Sequence, residues 1–294
     1  MRTSVALLFA PAVALATITI AYPLAMSLYV SLHDLGPGGW AFAGPKHYVE
    51  MLSDRFFYQS LLVSVVYSLM SVFSALLLGV LAAFVVREVG RGKRVVEGFL
   101  AVPLAVSPIL AGIVWSPPAV WDDLNTVLHH VFGLGFIDVT DPLVYFPVMV
   151  LSEAWVWSPL FMLAVVVVLD NIPRDCIEAA ELTGASRLQI FNLVYLPAIL
   201  RSRVIAMLVA LKIVDFFRSF EIPFAWSFWV RESQLGAPTD TLSLMLFKLL
   251  LTPRPDGTIP IPYISTVSSV LMLVSLLSSL LIWRQLNLFW RKTI

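Results

Sequence analysis

Long apolar runs alternate with short polar stretches along the whole chain. Six of these runs are long enough to cross a bilayer, because about 20 helical residues span roughly 30 Å of hydrocarbon. They lie near 4–32, 60–86, 96–116, 143–169, 203–224 and 263–283. The first run follows Arg2, but it is too long for the apolar part of a signal peptide, so we expect an uncleaved helix. The pattern predicts an all-α, polytopic membrane protein with about six transmembrane helices.

The positions of the Lys and Arg residues predict which side of the membrane each polar stretch occupies. Twelve of the 19 basic residues lie on, or at the edge of, one side of the six-span arrangement, five lie on the other, and two fall inside the fifth span. Cytoplasmic loops carry the excess of positive charge. We therefore expect both termini and the polar stretch 175–197 to be cytoplasmic, and 33–59, 117–142 and 225–262 to be external.

Composition narrows the function further. Of the 294 residues, 59% are hydrophobic and 13% charged, and the mean hydropathy is +0.89, far above the range of a water-soluble domain. Basic and acidic residues number 19 each, so the chain has no excess charge that would attract nucleic acid. The single cysteine, Cys176, cannot form an internal disulfide. We expect one membrane domain, 1–294, whose surroundings are the lipid bilayer.

The polar stretch 175–197 has the pattern of two short helices. Asp175 and Glu178 have the spacing of a capping box, in which two side chains bind free backbone N–H groups at a helix start. This predicts a helix over about 176–183. Gly184 would end it, because glycine tolerates the left-handed conformation of a helix C-terminus.

Ser186 and Gln189 form a second capping box directly after this glycine. The helix that they begin is expected to end where Pro197 intervenes. A helix, a glycine and a second helix on the cytoplasmic face make a shape that can protrude and dock against a partner. An interfacial helix that only links two spans fits the pattern equally well.

A family resemblance favours the docking interpretation. The stretch resembles the EAA signature of permease subunits in binding-protein-dependent ABC importers, in which this loop seats in a cleft of a cytoplasmic ATP-hydrolysing subunit. The resemblance implies that 171–200 is the coupling loop. The residues that carry it here are Glu178, Ala179, Ala180, Gly184 and Pro197. The match departs from the family pattern at Thr183, where an Asp is usual, and at Arg201, where a second Pro is common.

The resemblance covers nearly the whole chain. The stretches 10–34, 42–61 and 170–180 are similar to the first of the two permeases in sugar importers of the maltose and glycerol-phosphate type. It implies the type I ABC importer permease fold, in the plasma (inner) membrane of a prokaryote. The implied partners are a second homologous permease, two ATP-binding cassette subunits and an extracytoplasmic solute-binding protein. ATP and Mg would be held by the cassette subunits, and this chain would have no cofactor of its own.

Four charged residues recur every three positions in the fifth run. They are Lys212, Asp215, Arg218 and Glu221. Charge within a span costs about 2.5–3.5 kcal/mol on insertion scales, so these side chains need partners or water. Neighbours three apart on a helix can pair, but three such steps turn the row to the opposite side of the helix, so the four cannot all face one pore. A structural ion-pair ladder and a set of sugar contacts are both consistent with the pattern.

Sugar recognition combines aromatic faces with polar groups, which singles out candidates for the substrate pathway. They are Trp155, Trp157, Phe217, Arg218, Phe220 and Glu221. The external segment 225–262 departs from the family, because a glycine-rich turn before Thr241, Leu242 and Ser243 is missing.

Motifs for chemistry within the chain are absent from the sequence. It has no P-loop, so ATP hydrolysis is expected elsewhere, and the four His residues lack metal-ligand spacing. The expected solute is a mono-, di- or oligosaccharide, with glycerol phosphate or a polyamine as the alternative. A more remote alternative is an intramembrane enzyme or scaffold that uses the acids of 122–141.

Overall fold

Helices make up most of the described chain. The computed structural model describes residues 9–15, 17–36, 38–90, 92–133, 135–139, 141–215, 219–229, 240–253 and 257–291. The helices in the first half are α1 (Phe9–Ser31), α2 (Lys46–Ser53), α3 (Arg55–Glu88), α4 (Lys93–Ala101), α5 (Pro108–Val114) and α6 (Asp122–Phe132). Those in the second half are α7 (Pro142–Asp170), α8 (Arg174–Leu182), α9 (Arg187–Ile190), α10 (Leu196–Leu200), α11 (Arg203–Asp215), α12 (Glu221–Ser227), α13 (Leu242–Leu251) and α14 (Ile261–Arg291).

The described residues also form two short strands and four short helical turns. Strands β1 (His33–Gly36) and β2 (Gly39–Phe42) pair antiparallel, with His33 opposite Phe42. A 3-10 turn, Val102–Ala105, follows α4. π-Helical turns occupy Thr17–Ala21, Pro117–Trp121 and Phe191–Tyr195.

Four of the six expected spans are confirmed as long apolar helices. They are Phe9–Ser31, Arg55–Glu88, Leu143–Asp170 and Ile261–Ile282. The third and fifth are instead bent pairs, Lys93–Ala105 with Pro108–Val114 at 96° and Arg187–Leu200 with Arg203–Asp215 at 61°. The described residues therefore contain four spans, or six if each bent pair crosses the membrane once.

The bend between α4 and α5 has a local cause. Val106 and Ser107 are extended, with ψ of 130° and 138°, because the ring of Pro108 disfavours helical backbone in the residue before it. In the fifth region the expectation of one helix over 203–224 is wrong, since α11 ends at Asp215 and α12 begins only at Glu221. Mean hydropathy predicts neither break, because it depends on how many residues are apolar and not on the direction of the helix axis.

The chain divides into two compact units. The first comprises 1–61, 234–236 and 242–294. In it α14 packs against α1, and the hydroxyl oxygens of Ser27 and Ser269 lie 2.8 Å apart. The Tyr263 hydroxyl donates to the Asp54 carboxylate. The core of this unit is apolar and consists of Met51, Phe57, Leu242, Met245, Tyr263 and Val267.

The second unit, 62–233 with 237–241, contains the remainder of α3 and the helices from α4 to α12. Gly79 of α3 lies directly against α7, since a Cβ built on it would be 2.6 Å from the Cβ of Phe161 and 2.8 Å from the backbone N of Met162. The contact is close enough to exclude any side chain at this position. The expectation of a single permease domain over the whole chain stays a prediction.

Candidate functional sites

Residues 171–200 form an exposed turn of helices that we call the elbow. The first expected capping box is wrong, because α8 begins at Arg174 after Pro173, and no side chain caps it. Asp175 lies inside the first turn, where its charge still favours the positive end of the helix dipole. The second capping box is confirmed: the Ser186 hydroxyl and the Gln189 side chain each accept a backbone N–H of the other residue.

The glycine between the two helices takes the expected conformation. Gly184 has φ of +79°, which a residue with a Cβ rarely adopts. Its N–H donates to the Glu181 carbonyl at 3.0 Å, and the N–H of Ala185 donates to the Ala180 carbonyl at 3.0 Å. These two bonds form a Schellman motif, which satisfies the free carbonyls at the end of α8. A single glycine therefore sets the angle between the two arms of the elbow.

The second arm does not end at Pro197. The chain passes from α9 through the π turn Phe191–Tyr195 into α10, and the helical course reaches Leu200. Pro197 sits in the first turn of α10, where its missing N–H costs little. The expected stop is therefore wrong, because the π turn shifts the hydrogen-bond register just before the proline.

Most of the elbow surface is uncovered. Glu178, Ala179 and Gly184 are exposed, and Ala180 is half-buried. Large apolar side chains are exposed beside them, with Leu182 at 89% and Leu188 at 68%. Apolar side chains exposed next to carboxylates are typical of a surface that another protein covers.

The base of the elbow is joined to the C-terminal end of α3. The Arg87 guanidinium carbon lies 4.8 Å from the centre of the Tyr195 ring. The Phe84 ring lies 5.4 Å from Tyr195 and 5.6 Å from Phe191, measured between centroids. These four residues, called the joint below, connect the π turn of the elbow to the longest described helix. Sequence reasoning missed them, because the partners are more than 100 positions apart.

A second candidate site is a buried ion cluster in the second unit. Its members are Tyr67, Glu153, Trp157, Lys212 and Asp215. The Lys212 ammonium donates to the Glu153 carboxylate and, at 3.1 Å, to Asp215. It also lies 4.3 Å from the centre of the Trp157 ring, and the Tyr67 hydroxyl donates to Glu153 at 3.2 Å. The side chains of Lys212 and Glu153 are only 2% and 9% exposed, and that of Asp215 is 31% exposed.

The cluster confirms one predicted pair and adds the stronger one. The expected contact between Lys212 and Asp215 is present, but the buried partner of Lys212 is Glu153, on a different helix. The signal for it was in the sequence, since Glu153 is an acid in the middle of the apolar run 143–169. A buried ammonium with two carboxylates and an aromatic face is well satisfied, so the cluster fixes α11 against α7.

The remaining pathway candidates are distributed over several elements. Glu221 is the exposed first residue of α12. Phe220 stacks on Phe224 with centroids 4.9 Å apart, and the Trp155 ring lies 6.1 Å from that of Trp115. Phe217 and Arg218 lie outside the described residues. The expected three-residue spacing from Lys212 to Glu221 on one helix is wrong, because α11 ends between them.

Comparison with known proteins decides the family. The family described as "Binding-protein-dependent transport system inner membrane component" matches residues 75–287. The chain belongs to this family. It has the all-α fold of ABC importer permeases.

Individual relatives of this inner-membrane component are permeases. The chain is 28% identical to the trehalose transport system permease protein SugA of Mycobacterium tuberculosis, over 73% of this chain and 70% of that protein. It is 26% identical to the trehalose/maltose transport system permease protein MalF of Thermococcus litoralis, over 82% and 81% of the two chains. The relatives are transport proteins rather than enzymes.

A solved structure supports the fold. The chain superposes on a chain of a bacterial alginate ABC transporter, solved in complex with an alginate pentasaccharide-bound periplasmic protein, with a TM-score of 0.67. The identity is 19%, and the match covers 92% of this chain and 89% of that chain. At this identity the likeness concerns the fold alone.

Three acids of the segment 117–142 lie at the N-terminal ends of helices. Asp141 caps α7 by accepting the Leu143 N–H at 2.9 Å. Asp122 and Asp123 lie in the first turn of α6, where negative charge favours the helix dipole.

A charged group also lies beside the strand β1 in the first unit. Asp34 pairs with Lys46 at 2.7 Å and with the His47 Nε2 at 2.8 Å, and the His47 Nδ1 lies 3.1 Å from Glu50. The hydrogen bond from Lys46 is the main cause that lowers the pKa of the Asp34 carboxyl. This group ties the hairpin to the start of α2.

Proposed function

We propose that the chain is the permease subunit of an ATP-driven importer that translocates a sugar into the cytoplasm. The observation that carries this proposal is the family match over residues 75–287, whose middle part contains an exposed elbow. The solute class is supported by the named substrates of the relatives, trehalose and maltose. ATP and Mg would be bound by separate cassette subunits and not by this chain.

The elbow would receive the push from the ATP-hydrolysing subunits. Its arms are short, and Gly184 fixes the angle between them, so a push on the exposed α8 moves the elbow as one body. Glu178 and Ala179 offer a carboxylate and a small exposed surface beside Leu182. Such a surface fits an apolar cleft rimmed by basic groups on the motor subunit. The joint to α3 would then carry the movement toward the membrane.

The partners follow from the same proposal. A second, homologous permease would complete the pathway, and an extracytoplasmic solute-binding protein would deliver the sugar. The bound periplasmic protein in the alginate transporter structure supports a partner of that kind. The excess of Lys and Arg on the side of the elbow supports a cytoplasmic location for both termini in a prokaryotic plasma membrane.

Polar groups accessible inside the second unit would contact the solute. Asp215 is the partly exposed member of the ion cluster, and the half-buried Trp155, Trp157 and Phe220 offer aromatic faces. Glu221 is exposed at the start of α12. Aromatic rings beside carboxylates are the side chains that hold sugars by C–H faces and hydroxyls.

Charge reversal in the elbow tests the coupling role. Glu178→Arg is expected to abolish uptake of labelled solute while the chain stays in the membrane at its normal level. The reason is that the new positive side chain would be repelled by the basic groups proposed to rim the cleft of the motor subunit. Asp123→Arg is the matched control, since it reverses an exposed acid in the first turn of a surface helix outside the elbow. Normal uptake by Glu178→Arg would contradict the proposal.

Substitution of the glycine tests the geometry independently. Gly184→Pro fixes φ near −65°, which is incompatible with the observed +79°, and it removes the bond to Glu181. Gly184→Asn keeps a residue that tolerates the left-handed region. We expect uptake and co-purification of the motor subunit to fail in the first variant and to persist in the second. Equal uptake by both would show that the angle of the elbow is immaterial.

The solute is best identified on the binding protein. A thermal-shift screen of the associated binding protein against sugars, glycerol phosphate and polyamines is expected to give its largest shifts with a sugar. A shift only with glycerol phosphate or a polyamine would keep the permease assignment and replace the solute.

A further inference from the structure

Helices α5 and α12 of the second unit touch each other through their backbones. A Cβ built on Gly112 of α5 would lie 2.7 Å from the Cβ of Ala225 and 3.2 Å from the Cα of Ile222, both in α12. Nonbonded carbon atoms prefer separations of about 3.5–4.0 Å. The distance between the two helices at this point therefore leaves no room for a side-chain carbon on α5.

The contact is buried on both sides. Ala111 and Gly112 are buried in α5, and Ile222 and Ala225 are 1% and 2% exposed. Ile222 and Ala225 are three positions apart, so they lie on the same face of α12. Glycine lowers the stability of a helix interior relative to alanine. The close approach of α12 gives a physical reason for glycine at position 112.

Helix α7 completes the surface on which α12 rests. Trp226 continues the buried face of α12 and is 1% exposed. Its ring stacks on that of Tyr145 in α7, with centroids 6.3 Å apart. The same helix also holds α5, because the ring of Trp115, directly after α5, lies 6.1 Å from that of Trp155 in α7. Helices α5 and α7 together thus form a seat for α12.

The position of this seat determines the position of Glu221. Helix α12 has seven residues, or about two turns, and Ile222 and Ala225 occupy both turns. A methyl group at position 112 would lift α12 by about 1 Å to restore an ordinary carbon–carbon distance. Glu221, the exposed residue directly before Ile222, would move with it. Hydrogen bonds are about 2.5–3.2 Å long, so such a shift takes the carboxylate out of reach of a hydroxyl that it binds.

We propose that Gly112 is a positioning residue for transport, which seats α12 so that the Glu221 carboxylate meets the solute. The inference rests on the proposed function, in which Glu221 contacts the solute. Gly112 itself touches no solute and acts through the backbone of α12. Its role is to be small enough for α12 to reach its seat.

Uptake by the whole transporter tests this role. The chain is reconstituted in liposomes with its associated subunits and binding protein, and the labelled solute is the compound with the largest shift in the binding-protein screen. Gly112→Ala should lower uptake per assembled complex at least fivefold. Adding Ala225→Gly removes the carbon atom at 2.7 Å and should restore at least half of the parent rate, since the remaining contact needs a shift of only a few tenths of an ångström. Gly98→Ala, with open space around it, is the control and should transport normally.

Two variants of Glu221 show whether Gly112 acts through this carboxylate. Glu221→Asp withdraws the carboxylate by one methylene at an exposed position and leaves the packing of α12 unchanged, so it should reproduce the loss seen with Gly112→Ala. Glu221→Gln should lose at least as much uptake. Combining Gly112→Ala with Glu221→Gln should cause no further loss, because residues that act through one another are not additive.

Several results would overturn the proposal. Normal uptake by Gly112→Ala or by Glu221→Asp would show that the position of the carboxylate is immaterial. A loss in Gly112→Ala that only follows the amount of chain in the membrane, or the co-purification of its partners, would reduce the contact to a part of the fold. Additive losses, or no recovery with Ala225→Gly, would exclude the route through α12. Absence of uptake by the parent complex would instead refute the proposed function itself.

Discussion

Removal of the ammonium from the ion cluster is the sharpest test of how the second unit is held together. Lys212→Met leaves the Glu153 carboxylate buried, with the Tyr67 hydroxyl as its donor in the described structure. Breaking a buried pair by removing one partner costs about 3–5 kcal/mol, because the remaining charge is uncompensated. We expect a loss of that size in the free energy of unfolding.

Neutralising either of the two carboxylates of the cluster should cost less than removing the Lys212 ammonium. Glu153→Gln keeps an acceptor for Lys212, which still pairs with Asp215, so a loss of about 1–3 kcal/mol is expected from the weakened hydrogen bonds. Asp215→Asn acts at a side chain that is 31% exposed, where solvent weakens the ion pair and can replace part of the lost interaction, so the loss should be smaller than that for Glu153→Gln. The predicted order of destabilisation is Lys212→Met, then Glu153→Gln, then Asp215→Asn.

The double variant tests whether Lys212 and Glu153 interact with each other or affect stability independently. Lys212→Met with Glu153→Gln leaves neither of the two buried charges, so it should be more stable than Lys212→Met alone. Free energies can be measured by reversible unfolding in mixed micelles of a nonionic detergent and sodium dodecyl sulfate. Additive losses in the double variant, or a loss for Asp215→Asn equal to that for Lys212→Met, would refute the assignment of Glu153 as the essential partner.

Three further predictions follow from packing, the joint and charge. Gly79→Ala should destabilise the chain by about 1–3 kcal/mol, because the new methyl group meets the backbone of α7. Gly98→Ala, with open space around it, is the control and should be neutral or slightly stabilising in the same micelle assay. Arg87→Leu should reduce solute uptake at unchanged abundance, since it removes the cation from the aromatic ring of the elbow, and unchanged transport would show that the joint carries no movement. Asp34→Asn should lower the free energy of unfolding at neutral pH, and the difference from the parent chain should shrink below about pH 4. The reason is that a carboxyl group with a lowered pKa stabilises the fold only while it is charged. A difference that does not change with pH would exclude the ion pair with Lys46.

Local sequence signals were sufficient where the backbone conformation depends on the type of one or two nearby residues. The Ser186 and Gln189 capping box and the left-handed Gly184 were both predicted, because each depends on interactions within a few positions. The four unbroken spans were predicted for the same reason, since hydropathy over about 20 residues already specifies them. The family resemblance likewise rested on a short motif with defined spacing.

Features that depend on partners distant in sequence were beyond prediction. Glu153 reaches Lys212 across 59 positions, and helical spacing around Lys212 indicated only the weaker partner. The first capping box failed because α8 begins at Arg174, directly after Pro173, two residues earlier than the acid pattern suggested. Pro197 was misjudged because a π turn, which has no clear sequence signature, adjusts the helix before it.

The order of synthesis gives the Glu153–Lys212 pair a further consequence. Glu153 enters the membrane with α7 before Lys212 exists, because the two are 59 residues apart. At about 5–20 residues per second, the carboxylate waits roughly 3–12 seconds for its partner. An unpaired acid at the middle of a span costs about 2.5–3.5 kcal/mol on insertion scales. During that interval α7 is held in the bilayer by its apolar residues alone, so the chain is most vulnerable to misinsertion before α11 emerges.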